Sequence, residues 1–292
     1  MVTGAAGFIG SHLVRALERQ GVDVAALDRA PQGGRHIAVH LSRPGALDRF
    51  LDDATAVFHM AGSADVPRSV VEPVTDFRDN VTAMIEVLEA ARRKGCAVLV
   101  LPSTGSVYDT NLPPPYAETA PTRPSSPYGA AKLACEAYCI AYARSYGIPT
   151  RIARLFSVYG PGMRRFAIHD FHRRLRETPS RLVLRGDGGQ TRDYLYVEDA
   201  AEALIRIAAS GSPGEIVNVA SGEPRRMVDV ARVVAQTMGL DGCSIEPDGA
   251  EIKSEVYRME ADVTRLRQIG FVPVVPFDVG LGRTVAWLGR AS

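Results

Sequence analysis

The chain has 292 residues, 46% hydrophobic and 23% charged, which suits one large or two modest globular domains. Its 34 Lys and Arg are nearly balanced by 33 Asp and Glu. That balance argues against a nucleic-acid groove or an anionic membrane surface as partner.

The opening Met1 to Gly10 has neither the basic start nor the long apolar run of a signal peptide or membrane span. It reads Met-Val-Thr-Gly-Ala-Ala-Gly-Phe-Ile-Gly, so Gly4, Gly7 and Gly10 close a short apolar run. A helical pattern follows from His12 to Gln20. Glycines let the backbone turn tightly and approach a pyrophosphate, which then sits on the helix N-terminus. Val22 to Leu27 reads as a strand and ends at Asp28. An acidic residue about 20 positions past the glycines can hold an adenosine ribose by its hydroxyls. Asp28 disfavours a 2′-phosphate and points to NAD, although Arg29 leaves some room for that phosphate. The first strand is short, with only Met1 and Val2 before Thr3.

Ala56 to Met60 is an apolar run closed by Ala61-Gly62. Val81 to Lys94 has helical periodicity, and Ala97 to Leu101 is continuously apolar before Pro102-Ser103-Thr104-Gly105-Ser106. Apolar strands alternating with helices predict a parallel sheet covered on both faces, with ligands at the carboxyl ends of its strands. Asp109 to Pro127 carries six prolines and no periodicity, so it reads as a loop on the rim of a site.

Tyr128-Gly129-Ala130-Ala131-Lys132 opens the next helix. Residues at i and i+4 share a helix face. A cation there is expected to draw the phenol below its usual pKa of roughly 10 and make Tyr128 a base. Arg151 to Val158 reads as a strand, Phe166 to Glu177 as a helix, and Leu182 to Leu184 as a strand. Arg192 to Val197 and Ile216 to Ala220 read as further strands. Glu198 to Ala209 and Met227 to Met238 read as helices, and two short helical patterns finish the chain. Cys96, Cys135, Cys139 and Cys243 form no Cys-x-x-Cys pair. They read as reduced thiols in a cytoplasmic setting, with no metal site.

These segments resemble the extended short-chain dehydrogenase/reductases, in particular the NAD-dependent nucleotide-sugar epimerases and dehydratases. The likeness spans essentially the whole chain. Thr3 to His12 resembles the cofactor fingerprint, Ser103 to Tyr108 the hydroxyl segment, and Tyr128 with Lys132 the catalytic pair. Arg154 to Gly162 and Gln190 to Tyr194 resemble signatures of the substrate half. The resemblance implies a Rossmann-type doubly wound parallel sheet with a smaller α/β substrate-binding domain. Residues 1–159 would bind NAD, the chain would return to that domain at 191–219, and 160–292 would bind the nucleotide sugar. It also implies a homodimer through the helices Val81 to Lys94 and Tyr128 to Tyr146.

By the same resemblance Gly4, Gly7, Phe8, Ile9, Gly10, Asp28, Arg29, Ala61, Tyr128 and Lys132 would hold NAD. Tyr128 would take the proton of the sugar 4-hydroxyl, Lys132 would assist it, and Thr104 would bond the reacting oxygen. Arg192, Arg258 and Lys253 would reach a UDP-sugar's diphosphate. Dehydratases carry Thr-Asp-Glu at positions 104 to 106, and uronate decarboxylases carry Glu at 106. This chain has Thr104-Gly105-Ser106, which favours 4-epimerisation. Ser106, Ser157 and Arg164 resemble the carboxylate pocket of UDP-glucuronate 4-epimerases, where charge-assisted bonds would hold the acid. The same serines could instead pack around a neutral hexose, as in a UDP-glucose 4-epimerase. A decarboxylase, a ketoreductase and an NAD-binding sensor remain as further alternatives. His40 stands where the group often has Asp, and Met259 near a position that limits sugar size.

Overall fold

The apolar runs do form parallel strands. The computed structural model describes residues 1–292 except 31–35, 42, 54, 211, 251–255 and 292. The strands are β1 (Val2–Thr3), β2 (Ala26–Asp28), β3 (Ile37–Ala38), β4 (Ala56–His59), β5 (Val98–Thr104), β6 (Thr150–Leu155), β7 (Ser157–Tyr159), β8 (Arg181–Leu184), β9 (Thr191–Tyr196), β10 (Glu215–Val219), β11 (Pro224–Arg226), β12 (Ser244–Pro247) and β13 (Arg258–Met259). The α-helices are α1 (Phe8–Arg19), α2 (Val66–Val71), α3 (Pro73–Phe77), α4 (Ala83–Lys94), α5 (Pro127–Tyr146), α6 (Phe166–Glu177), α7 (Val197–Ala209), α8 (Met227–Thr237), α9 (Thr264–Gln268) and α10 (Phe277–Ala291).

Seven strands make one parallel sheet in the order β10-β6-β5-β4-β1-β2-β3. The direction of winding reverses between β1 and β4, which opens a crevice at the carboxyl ends of those strands. Strand β1 is only two residues long, yet Val2 pairs with Ala26 on one side and Phe58 on the other. Strand β5 shows why continuous apolar sequence is needed here. Its side chains alternate between faces: Val98 and Val100 join the core under α1 and α7, while Leu99 and Leu101 join the core under α4 and α5.

A smaller unit is built from β7, β9, β11 and β13, with β9 central, and from the pair β8 and β12. Ile168, Leu175, Leu182, Val234 and Leu281 pack there under α6, α8 and α10. The chain's return to the large sheet is narrower than 191–219. Strand β9 stays in the small sheet, while α7 and β10 rejoin the large one and the later segment Ala261 to Phe271, with α9, packs against the same core.

Other boundaries also differ from the sequence reading. Strand β2 starts at Ala26 rather than Val22, and the last helix, α10, is 15 residues long. Two short helices, α2 and α3, and a π-helical turn over Arg78–Thr82 fill a stretch without clear periodicity. The proline-rich segment is pinned rather than loose. Tyr116 is buried, stacks on Tyr108 at 5.2 Å and bridges to Ala261. Among the described residues no helix is long and apolar enough to cross a membrane.

Candidate active site

The turn from β1 to α1 is built by glycine. Gly4 has φ +65°, and a Cβ there would lie 2.5 Å from the Ala61 amide nitrogen. A Cβ on Gly10 would lie 2.2 Å from the Gly4 carbonyl oxygen. Only glycine lets these backbones meet, and the N-terminus of α1 is thereby aimed at the crevice. Phe8 and Ile9 start α1 and turn partly into the two flanking cores.

At the end of β2 the Asp28 carboxylate is held by the amides of Ala6 and Ala30, both at 3.0 Å. Gly4, Gly7, Asp28, Arg29 and Ala61 line one cleft of about 510 Å³, together with His40 and Arg165. A tight glycine turn, a helix N-terminus and a fixed carboxylate in one elongated cleft fit a dinucleotide.

Beside this cleft, β5 delivers Ser103 and Thr104, and α5 delivers Tyr128 and Lys132. Helix α5 starts where it does because the Ser126 hydroxyl caps the Gly129 amide at 3.2 Å and Pro127 occupies the first turn. Tyr128 and Lys132 share a face and are both buried. The Lys132 ammonium donates to the Pro102 carbonyl at 2.9 Å. The expectation of an acidified phenol is not met. Burial raises Tyr128 to about 12, while a Thr104 hydrogen bond and the Arg165 charge pull it back. The dry setting outweighs the Arg165 charge because a buried phenolate loses its hydration. Thr104 also donates to the Ser106 hydroxyl at 3.2 Å, so the phenol of Tyr128 has hydroxyls rather than carboxylates beside it on this strand end.

The predicted substrate arginines divide. Both Arg164 and Arg165 are exposed, and it is Arg165 rather than Arg164 that lines the cleft. Arg165 lies 3.7 Å from Asp65 and 4.9 Å over the Phe166 ring. Phe166 has φ +72°, a strained value for a bulky residue and one found mostly at functional sites. Arg192 and Arg258 lie on the adjacent strands β9 and β13. Arg192 donates to the Thr191 carbonyl at 2.8 Å, and Arg258 holds Glu260 with two bonds of 2.9 Å. Ser157 begins β7 and is half-buried, and Met259 is buried against Gly105. Lys253 lies outside the described residues.

Sequence reasoning missed His59. Its ring is buried, and Nδ1 shares a 2.9 Å hydrogen bond with the Thr3 hydroxyl. Burial, then the nearby Lys132 charge, pushes His59 down to about 3. The folded state therefore refuses a proton that the unfolded chain accepts below about 6.5. Stability contributed by neutral His59 is complete above about 6.5 and is lost as pH falls toward 3. Between pH 7 and 4.5 urea unfolding should show wild-type protein losing about 2–3 kcal/mol more than His59→Asn.

Comparison with known proteins places this arrangement. The NAD dependent epimerase/dehydratase family matches residues 1–220. The UDP-glucose 4-epimerase of Mycolicibacterium smegmatis is 31% identical, over 100% of this chain and 99% of that protein. The dTDP-glucose 4,6-dehydratase of Streptomyces griseus is 32% identical, over 98% and 93%. Among solved structures, MoeE5 in complex with UDP-glucuronic acid and NAD superposes with a TM-score of 0.89 at 32% identity, covering 100% of this chain and 99% of that one. The protein is thus an enzyme of the NAD-dependent nucleotide-sugar epimerase/dehydratase family, with NAD as its cofactor.

Proposed function

We propose that the protein is a nucleotide-sugar 4-epimerase working through a 4-keto sugar, with UDP-glucuronate to UDP-galacturonate as its reaction. The observation that carries this reading is that Thr104, beside the phenol of Tyr128, bonds the Ser106 hydroxyl at 3.2 Å, with no carboxylate at positions 105 and 106. Eliminating water calls for an acid and a base at the positions that Gly105 and Ser106 occupy. An epimerase needs only one group that takes a proton and gives it back.

In this reading Tyr128 takes the 4-hydroxyl proton, and Thr104 holds the reacting oxygen. Lys132, fixed on the Pro102 carbonyl, keeps positive charge beside the phenol. NAD, when bound in its oxidised form, supplies the hydride acceptor and adds positive charge to the cleft. That charge offsets the burial that holds Tyr128 protonated at rest. Hydride would return to the other face of the same carbon while Tyr128 gives its proton back to the 4-oxygen, which would complete the cycle. Positions 1–156 with α7 and β10 would serve NAD, and the small sheets, which include β7, would serve the nucleotide sugar.

Arg165 favours a uronate over a neutral hexose. Its pair with Asp65 is half-exposed, at 46% and 42%, and such pairs are worth little. The guanidinium can therefore exchange Asp65 for a sugar carboxylate, with Ser106, Ser157 and Arg164 as further contacts. Arg192 and Arg258 would reach the diphosphate, Arg258 by leaving Glu260. We also infer a homodimer. Exposed Val70, Val71, Val74 and Phe77 on α2 and α3, and Tyr138 on α5, offer an apolar face for a second copy. Helix α4 ends in Arg92, Arg93 and Lys94 and contributes less.

The test is incubation with UDP-glucuronate and, separately, UDP-glucose, with NAD, followed by NMR of the sugars. The proposal expects UDP-galacturonate and no pentose, with Arg165→Ala raising KM for the uronate at least tenfold. Turnover of UDP-glucose alone would remove the uronate reading. Formation of UDP-xylose would overturn the argument from Ser106.

A further inference from the structure

Behind Tyr128 and Lys132 lies a carboxylate without a cation of its own. Asp76, on α3, is 4% exposed. Its Oδ1 accepts from the Asn80 side-chain amide at 3.1 Å, and its Oδ2 receives no hydrogen bond from the described residues. Burying a carboxylate this way is costly unless a charge compensates it.

The surroundings are closely packed. Asn80 closes the π-helical turn onto α5, where the Cys135 thiol donates to its carbonyl at 3.6 Å. Ser69 of α2 accepts the Tyr128 amide at 3.2 Å. The segment holding Asp76 thus rests on the face of α5 that carries Tyr128, Lys132 and Cys135.

Arg165 acts on Tyr128 from the half-exposed side, where it lies 3.7 Å from Asp65; the other charges around this face leave one pairing. Burial pushes the Cys135 thiol up to about 11 and raises Cys139 further, so both are neutral. His59, from β4, is neutral as well. Glu136 is engaged by Arg154 at 2.7 Å. From α2, Arg68 is taken by Glu72 at 3.0 Å. In the π-helical turn, Asp79 faces Arg29 at 3.9 Å. Asp76 and Lys132 remain. Burial raises Asp76 and lowers Lys132, and each charge opposes the other's neutralisation; on Lys132 the Asp76 contribution comes after that of Cys135 and ahead of Glu136, and Asp76 also opposes ionisation of Tyr128.

We propose that Asp76 is a positioning residue of the catalytic cluster: its buried carboxylate is the counter-charge that keeps Lys132 an ammonium in a dry site and so sets the pH range in which Lys132 and Tyr128 act together. This rests on the roles given to Tyr128 and Lys132 above. Asp76→Asn keeps the side chain's size and its acceptor for Asn80 while removing the charge. Both Lys132 and Tyr128 then titrate lower, by about one pH unit. The whole bell of kcat against pH moves in the acid direction, with KM for the sugar nucleotide unchanged within about twofold.

The chain has three lysines, Lys94, Lys132 and Lys253, so Lys132 can be followed directly. Protein labelled with ¹³Cε-lysine would be titrated by NMR, with Lys132→Met for assignment. A Lys132 midpoint lowered in Asp76→Asn, and in Asp76→Ser should the first variant fold poorly, supports the proposal. An unmoved midpoint overturns it, even if stability or kcat falls. The readout is independent of turnover. Full activity in Tyr128→Phe would sink the catalytic reading, while the Lys132 titration would still decide whether Asp76 supplies the counter-charge.

Discussion

Tyr128→Phe should lower turnover of the sugar nucleotide between a hundredfold and ten-thousandfold, the range expected for a positioned acid–base group. The ring stays where it is, because its packing on α5 does not depend on the hydroxyl. The change removes only a hydroxyl beside Thr104, so stability should change by no more than about 1 kcal/mol. NAD binding, followed by fluorescence quenching, should be nearly unchanged. Turnover within threefold of wild type would remove Tyr128 as the base. Thr104→Val should show a smaller drop, because it loses bonds to both Tyr128 and Ser106 but leaves the phenol in place.

The largest loss of stability should come from the ion pair about two turns further along α5. Glu136 and Arg154 are 2% and 3% exposed. Arg154 gives Glu136 two bonds, of 3.0 and 2.7 Å, and a third to the Glu118 carbonyl at 3.1 Å. Ser103 also donates to Glu136. The guanidinium lies 4.7 Å over the Tyr108 ring, whose hydroxyl reaches Asn218 at 2.6 Å. This network ties α5, β6, β10 and the proline-rich segment together. Arg154→Met strands a carboxylate inside and should cost about 3–5 kcal/mol, read as a lowered urea midpoint. The double variant with Glu136→Leu should recover part of that loss, because no charge is then left unpaired. Equal and additive losses from the two single changes would show that the network is not coupled.

Features governed by local chemistry were legible in the sequence. Gly4, Gly7 and Gly10 announce the β1–α1 turn, since only a residue without Cβ permits the contacts with Ala61 and Gly4. Tyr128 and Lys132 announce a shared helix face. The continuous apolar runs announce a sheet covered on both sides. What depends on distant packing was not legible. The titration of Tyr128 is set by desolvation, which no spacing reports. Arg164 and Arg165 are identical neighbours, and of the two it is Arg165 that lines the cleft. Asp76 and Ser69 sit in helices of five and six residues, too short to leave a periodic trace. Strand β9 looks like any strand of an α/β repeat, and its place in the small sheet follows from pairing with β7, β11 and β13.

The central claim is that one carbon of the sugar is oxidised and then reduced within the same site. The most direct test uses UDP-glucuronate carrying deuterium at C4, with NMR and mass measurement of the product. The account predicts UDP-galacturonate that retains the deuterium at C4, since whatever leaves that carbon returns to it. Product that has lost the label to water, or a pentose formed with loss of carbon dioxide, would contradict it.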